Sequence, residues 1–250
     1  MVALMLNNKG ATASESYIGG GTLIHPSVVM TVAHKVEDIS DTKQIRCRAG
    51  ELDLTADNET YIHQERDVAN IIVHPSYNTS LNYYDVALLI LSSPFDVSFY
   101  PHIGVACLEP YMPPPGTICY SMGWGRDYDG SPRAAVLKKL SLPLVEDTRC
   151  EKQFRKTKFG RAFRLHPTLT CAGGEAKVDT CIGDGGAPLV CPVEVKSGVN
   201  IRYSVVGMVS YGLGCGKKNY PGVYVNVPAI YDWVVNQMRY KGLDYNTFVY

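Results

Sequence analysis

Short runs of apolar or alternating residues recur along nearly the whole chain, each closed within a few positions by Gly, Pro, Asn or Asp. They fall at residues 22–24, 28–32, 45–48, 68–73, 86–91, 137–144, 205–210 and 223–227. In the last, Val223, Val225 and Val227 share one face and Tyr224 and Asn226 the other, the period of two that marks a strand. Many such runs at turn spacing restrict the chain to an all-β barrel or sandwich. The opening Met1-Val2-Ala3-Leu4-Met5-Leu6 reads as a further strand. Helical signals are confined to two places. Pro228 opens a segment in which Ile230, Trp233, Val234 and Met238 lie on one face, with Asp232 early, Arg239 and Lys241 late, and Gly242 as the stop. Residues 147–158 are the second candidate. Pro113-Pro114-Pro115-Gly116 divides the chain into two β-rich halves, 1–112 and 113–250.

Charge and cysteine usage narrow the function classes. Lys and Arg number 24 and so do Asp and Glu, so the 250 residues carry no formal net charge. That argues against a globally basic, nucleic-acid-binding surface. Apolar residues are 46% and charged residues 19%, a composition that buries a core. The apolar run at 87–91 is far short of the ~20 residues a membrane helix needs, so no membrane association is expected. Eight cysteines without a CxxC pair, and the sequons Asn58-Glu59-Thr60 and Asn78-Thr79-Ser80, point to disulfides, glycosylation and an oxidising, extracellular setting. The first six residues are too short for a signal peptide core, so the true N-terminus is expected upstream.

Three local patterns carry chemistry. Thr31-Val32-Ala33-His34 leaves a strand and ends in a turn. Tyr84-Asp85-Val86-Ala87-Leu88-Leu89-Ile90-Leu91 sets one Asp at the mouth of a buried strand, where it must find a partner. Asp179-Thr180-Cys181-Ile182-Gly183-Asp184-Gly185-Gly186-Ala187-Pro188-Leu189-Val190-Cys191 is a tight Gly-rich loop between cysteines. It makes a poor phosphate cradle, because no Lys or helix start follows. Singly, His34 reads as an ordinary histidine and Asp85 as a turn cap.

Together, in the order His, Asp, Gly-rich loop, these residues resemble the trypsin-like serine protease family. Gly20-Gly21-Thr22-Leu23-Ile24 resembles the strand before the family's His, and Met122-Gly123-Trp124-Gly125 its central turn. Ser210-Tyr211-Gly212 and Pro221-Gly222-Val223-Tyr224 resemble its pocket walls. The resemblance implies two six-stranded antiparallel β-barrels with a C-terminal helix. It implies a substrate pocket of Asp179, Ser210, Gly212 and Gly222 for a basic side chain, and oxyanion donors at Gly183 and Gly185. Asp184 stands where the family's Asp receives a cleaved N-terminus. The pocket either holds a basic side chain without cutting or is inherited architecture.

Two departures separate this chain from active relatives. The family's Gly-Asp-Ser-Gly-Gly-Pro reads Gly183-Asp184-Gly185-Gly186-Ala187-Pro188 here, so Gly185 occupies the nucleophile position without a side chain. His34 and Asp85 retain base and orienter, with nothing to deprotonate. Loss of the nucleophile costs about 10⁶ in turnover, or about 8 kcal/mol of barrier. Thr180 is too distant in sequence to stand in, and Cys181 looks committed to a disulfide. Active relatives also bridge a Cys after their His to one before the Gly-Gly, where Lys35 and Gly19 stand here. The resemblance implies bridges Cys119–Cys191, Cys150–Cys171 and Cys181–Cys215. Cys107 and Cys47 remain, to pair with each other or with an upstream segment.

Residues 144–192, with Cys47-Arg48-Ala49-Gly50-Glu51-Leu52-Asp53 and Ile62-His63-Gln64-Glu65-Arg66, resemble the arthropod clip-domain serine protease homologues of the masquerade and prophenoloxidase-activating-factor type. That likeness implies a secreted haemolymph pseudo-protease in innate immunity and melanisation. Its implied partners are prophenoloxidase and a clip-domain protease. A working endopeptidase cutting after Arg or Lys is the alternative, and a microbial-surface binder a third. Arg149 to Arg164 hold seven basic residues and Glu151, interleaved with Phe154, Phe159 and Phe163. They form a solvated, packed face or a dock for an acidic partner. Glu51, Asp57 and Glu65, with Asp53 and Glu59 nearby, are candidate Ca²⁺ ligands or a solvated acidic loop.

Overall fold

In the computed structural model, residues 1–56, 58–193 and 202–249 are described. Strands β1 (Val2–Leu6), β2 (Tyr17–His25), β3 (Val28–Thr31), β4 (Ile45–Ala49), β5 (Gln64–Val73) and β6 (Ala87–Leu91) close a barrel in the order β1-β2-β3-β6-β5-β4. All its pairings are antiparallel. Strands β7 (Cys107–Leu108), β8 (Ile118–Gly123), β9 (Lys138–Val145), β10 (Leu169–Ala172), β11 (Pro188–Val193), β12 (Arg202–Tyr211) and β13 (Gly222–Asn226) build the second sheet. Six of these run β11-β8-β9-β10-β13-β12 and close through the β11–β12 pairing, while β7 adds a two-residue parallel strand to β12. Among the described residues three α-helices complete the fold: α1 (Ala13–Ser16), α2 (Asp147–Phe154) and α3 (Val227–Tyr240). The expected two-barrel, all-β architecture with a C-terminal helix is what forms.

The local reasons are legible strand by strand. β6 lies between β3 and β5, so its run of Ala and Leu is buried on both faces apart from Ile90. β5 begins at Gln64, ahead of the apolar run at 68–73, because the polar stretch pairs residue by residue with β4. Tyr224, which alternation placed opposite the valines, is wholly buried as well, and its hydroxyl meets Thr180 Oγ1 at 3.0 Å. The first helix, α1, carries a Thr12/Glu15 capping box on a segment without apolar periodicity. Helix α2 stops at Phe154, short of residue 158, where the Thr157 hydroxyl takes the Phe154 carbonyl and i→i+3 bonds replace the helical ladder.

Helix α3 is capped by the Asn226 carboxamide, carries Pro228 in its first turn, and ends before Gly242 in a left-handed turn of φ +67°. Its buried face of Ile230, Val234 and Met238 packs on Leu108, Val205 and Met208 from the second barrel. The same cluster takes in Ile24, Met30 and Leu88 from the first, so the helix and the two barrels share one core. Each barrel also has its own interior: Leu4, Val29, Ile45 and Leu89 in the first, Leu142, Leu189 and Val206 in the second.

Disulfides Cys119–Cys191, Cys150–Cys171 and Cys181–Cys215 have Cα separations of 4.3, 6.3 and 5.4 Å. The first joins β8 to β11, the second ties α2 to β10, and all lie in the second half of the chain. Cys47, on β4, and Cys107, on β7, are free, so the mutual bridge left open by the sequence does not form. Burial pushes the Cys47 thiol well above its ordinary range.

Candidate functional site

The two barrels meet at a cleft, and each brings one half of a reaction centre. After β3 the chain makes a single 3₁₀ turn, Ala33–Lys35, which sets His34 at the rim. Asp85 stands two residues before β6 and is fully buried. Its Oδ1 accepts the His34 backbone N–H at 2.9 Å, and its Oδ2 lies 2.8 Å from His34 Nδ1. The Ser210 hydroxyl donates to the same Oδ2 at 2.7 Å. Three donors satisfy a carboxylate that would otherwise be costly to bury. Holding Nδ1 against Asp85 leaves the other ring nitrogen, Nε2, facing the Gly-rich loop. Ser210, expected in the pocket wall, lines the cavity but spends its hydroxyl on Asp85.

Opposite Nε2 there is no side chain. A Cβ on Gly185 would stand 3.0 Å from His34 Nε2 and 2.5 Å from Lys35 Cε. Lys35 therefore lies across the place where a nucleophile's side chain would begin. Its Cδ and Cε also run within 3.2 Å of where a Gly19 Cβ would be. One side chain fills both the corner at Gly19 and the corner at Gly185, which nothing in the sequence pattern announced. Burial, and secondarily the Arg133 charge, lower the Lys35 pKa, while Asp85 and Asp184 oppose the shift. Of the other groups on the cavity wall, Thr180 is bonded to Tyr224 and Cys181 is in a disulfide. Burial pushes the Tyr211 phenol up to about 12.

The loop itself is held by Asp184. Its Oδ1 accepts the Gly125 N–H at 2.9 Å and its Oδ2 the Cys181 N–H at 2.9 Å. A Cβ at Gly123 would come within 2.1 Å of Oδ1, and one at Gly125 within 2.5 Å of the carboxyl carbon. That close approach is why a Gly-Trp-Gly turn is needed there. Trp124 between them packs edge-on against Tyr17 at 5.5 Å and donates Nε1–H to the Leu52 carbonyl. So anchored, the loop turns at Gly183 with φ +104°. Neither the Gly183 nor the Gly185 N–H donates to a protein acceptor among the described residues.

The cavity beside the loop has a volume of about 370 Å³ and is walled by Thr180, Gly183, Gly185, Gly212, Cys215 and Gly222, with His34 and Lys35 at its edge. Asp179 lies behind Gly222, whose Cβ would approach its Oδ1 to 3.3 Å. Asp179 Oδ2 accepts the Gly216 N–H at 3.0 Å, while Oδ1 is buried without a partner. Burial raises its pKa to about 6, against the pull of the Gly216 and Thr180 amides and with a small push from Asp184.

Other sequence candidates are placed elsewhere. Asn58 and Asn78 are exposed, and Asn78 Oδ1 caps the Ser80 and Leu81 amides. Asp57 lies outside the described residues. Glu51 and Glu65 are turned onto guanidinium groups. Glu51 pairs with Arg48 at 2.7 Å and lies 3.2 Å from His63, and Glu65 pairs with Arg46 and Arg48. Arg48 stands between the two carboxylates, so Glu51 and Glu65 are both engaged by guanidinium groups. No cluster of three or more candidate ligands forms among the described residues. In the basic segment, Phe154, Phe159 and Phe163 stack on one another at 5.2–5.6 Å, with Phe154 fully buried. Arg155 and Arg164 gather around Glu151. Phe154 thus packs into the fold while Phe159 stays exposed, and Lys152, Lys156, Lys158, Arg161 and Arg164 are exposed around it.

Comparison with known proteins agrees with this architecture. The trypsin family profile matches residues 1–234. The chain is 43% identical over 238 residues to a Galleria mellonella protein named Phenoloxidase-activating factor 2, covering 94% of this chain and 76% of that one. It is 40% identical over 223 residues to Inactive CLIP domain-containing serine protease A3 of Aedes aegypti, covering 88% and 46%. It is 41% identical over 221 residues to Inactive CLIP domain-containing serine protease A8 of Anopheles gambiae, covering 88% and 58%. The chain thus spans three quarters of the Galleria protein and about half of the mosquito proteins. Two closed barrels, a His–Asp pair at their seam and this match along the sequence lead to one statement: the chain belongs to the trypsin family.

Proposed function

We propose that this chain is a non-catalytic member of the trypsin family that acts by binding, as a secreted regulator of a proteolytic cascade. The cascade is prophenoloxidase activation, and the partners are prophenoloxidase and a clip-domain protease. One observation carries the non-catalytic reading: beside His34 Nε2 stands Gly185, and the space its side chain would take holds Lys35 Cε. A base without a hydroxyl or thiol to activate cannot form an acyl-enzyme. Withdrawal of the nucleophile leaves only weak assistance from the Gly183 and Gly185 amides, a loss of about 10⁶ in turnover. The cascade reading is supported by relatives named as a phenoloxidase-activating factor and as inactive CLIP proteases. Secretion is supported by three disulfides and two exposed sequons.

The test is direct. Purified protein is incubated with an Arg-linked chromogenic peptide and with a Ser-directed phosphonate. The expected result is hydrolysis at the background rate and no mass gain. Turnover abolished by covalent labelling overturns the reading. Adding the protein to prophenoloxidase and its activating protease is expected to change phenoloxidase output, and an unchanged output removes the cascade role.

A further inference from the structure

Four groups at or just behind the cleft wall lack a full set of partners among the described residues. Asp179 keeps Oδ1 buried and without a donor. Lys35 forms no ion pair among the described residues, although burial has taken much of its water. The Gly183 and Gly185 N–H groups have no protein acceptor among those residues. Lys35, Gly183, Gly185 and Gly222 line a single cavity, and Asp179 lies against Gly222. A folded chain keeps unpaired buried groups only at a cost, and a ligand that pairs all of them removes it.

The order of charges defines that ligand. Asp179 lies behind the Gly222 wall, the Gly183 and Gly185 amides border the cavity, and Lys35 runs beside Gly185, its Cε 2.5 Å from where a Gly185 Cβ would stand. A basic side chain reaching Asp179 brings its own main-chain carboxyl carbon toward the Gly183 and Gly185 amides. If the bound peptide continues past that residue, the group there is a neutral carbonyl, and Lys35 gains little from it. If the peptide ends there, the group is a carboxylate with a full charge beside the Lys35 ammonium. Charge-assisted bonds of that kind are about twice as strong as neutral ones. Arg133, close enough to Lys35 to lower its pKa, adds positive potential on the same side.

We propose that the cleft is a receptor for cut ends: it binds a peptide whose C-terminal residue is Arg or Lys, with the side chain on Asp179 and the free α-carboxylate on the Gly183 and Gly185 amides and the Lys35 ammonium. This rests on the non-catalytic reading above and names the ligand of the same site. Such ends are what a protease cutting after basic residues leaves behind. The chain therefore distinguishes a processed protein from its uncut precursor.

The experiment uses three fluorescent peptides of one sequence, read by anisotropy against the full chain. One ends in Arg carboxylate, the second in Arg amide, and the third continues two residues beyond Arg. The acid is expected to bind about tenfold more tightly than the amide or the extended peptide. Lys35→Met is expected to bring the acid-to-amide ratio within about twofold, and Asp179→Asn to weaken both peptides alike. Lys35→Gln serves if Lys35→Met melts below the parent chain. Equal affinity for acid and amide, a preference that survives removal of Lys35, or no binding by any peptide overturns the proposal. Cleavage of the extended peptide, read by mass spectrometry, overturns the non-catalytic reading instead, so the two failures are told apart.

Discussion

At the seam, the first barrel brings the His–Asp pair without a covalent brace among the described residues, whereas the second brings three disulfides and a glycine facing the imidazole. Asp85 still receives three hydrogen bonds, two of them from His34. Yet no disulfide closes the first barrel among the described residues, and Cys47 there is a buried free thiol. The second barrel has three disulfides and an intact cavity, but Gly185 faces the imidazole. Lys35 joins the two barrels, since its aliphatic stem fills the corner at Gly19 and reaches the corner at Gly185. The His–Asp pair, the Gly-rich loop and the Lys35 stem between them therefore meet at one seam.

Four experiments break or sharpen this contrast. The largest effect is expected at Gly186, where the second barrel's loop abuts the first barrel. With φ +83°, a Cβ there would stand 2.2 Å from the Gly20 carbonyl and 2.4 Å from Thr31 Oγ1. Gly186→Ala is expected to cost about 4 kcal/mol in chemical denaturation. A loss below about 1 kcal/mol would mean the seam is looser than these distances imply.

Next comes Asp85→Ala, which strands the Ser210 hydroxyl and the His34 amide and leaves the imidazole without its carboxylate. A destabilisation of about 3 kcal/mol is expected from the same denaturation curves. An unchanged midpoint would show that the His–Asp pair does not hold the first half of the site together.

Restoring the nucleophile sharpens the comparison further. Gly185→Ser alone leaves Lys35 Cε on top of the new Cβ, so hydrolysis of an Arg chromogenic peptide is expected to stay near background. Gly185→Ser with Lys35→Ala removes that overlap, and an excess of about 10²-fold over the single variant, about 2.7 kcal/mol, is expected. Equal rates for the two variants would show that Lys35 yields freely.

The smallest effect is in pH. Asp179 must be ionised to bind a guanidinium, and burial holds its pKa near 6, with Asp184 and the Tyr224 hydroxyl as its titratable neighbours. Binding of an Arg peptide amide is therefore full above about pH 7 and is lost as pH falls through 6. Affinity at pH 5 is expected to be about tenfold lower. The Asp179→Asn variant is expected to give a flat profile over that range. A slope that persists in this variant assigns the titration to another group.

Much of the scaffold was legible because its signals are local. Alternation marked β13, a continuous apolar run marked β6, and Pro228 with Gly242 bracketed α3. His34, Asp85 and Gly185 were legible through motif order. Other features depend on register. Arg48 lies directly across from Glu65 in the β4–β5 ladder, a pairing of residues 17 apart that engages this carboxylate in an ion pair. The alternation of Arg46 and Arg48 beside Glu65 was the available signal, but it has no meaning until the strands are aligned. Ser210 and Asp85 are 125 positions apart, so no spacing rule joins them.

Residue identity was enough to establish that position 185 offers no nucleophile and that the chain folds as strands around apolar faces, since both follow from side-chain chemistry and short-range periodicity. What fills the vacancy was settled by packing in three dimensions. Lys35 could have turned to solvent, as lysines generally do. It lies instead between Gly19 and Gly185 because the absence of two side chains, remote in sequence, leaves a channel the width of an alkyl stem.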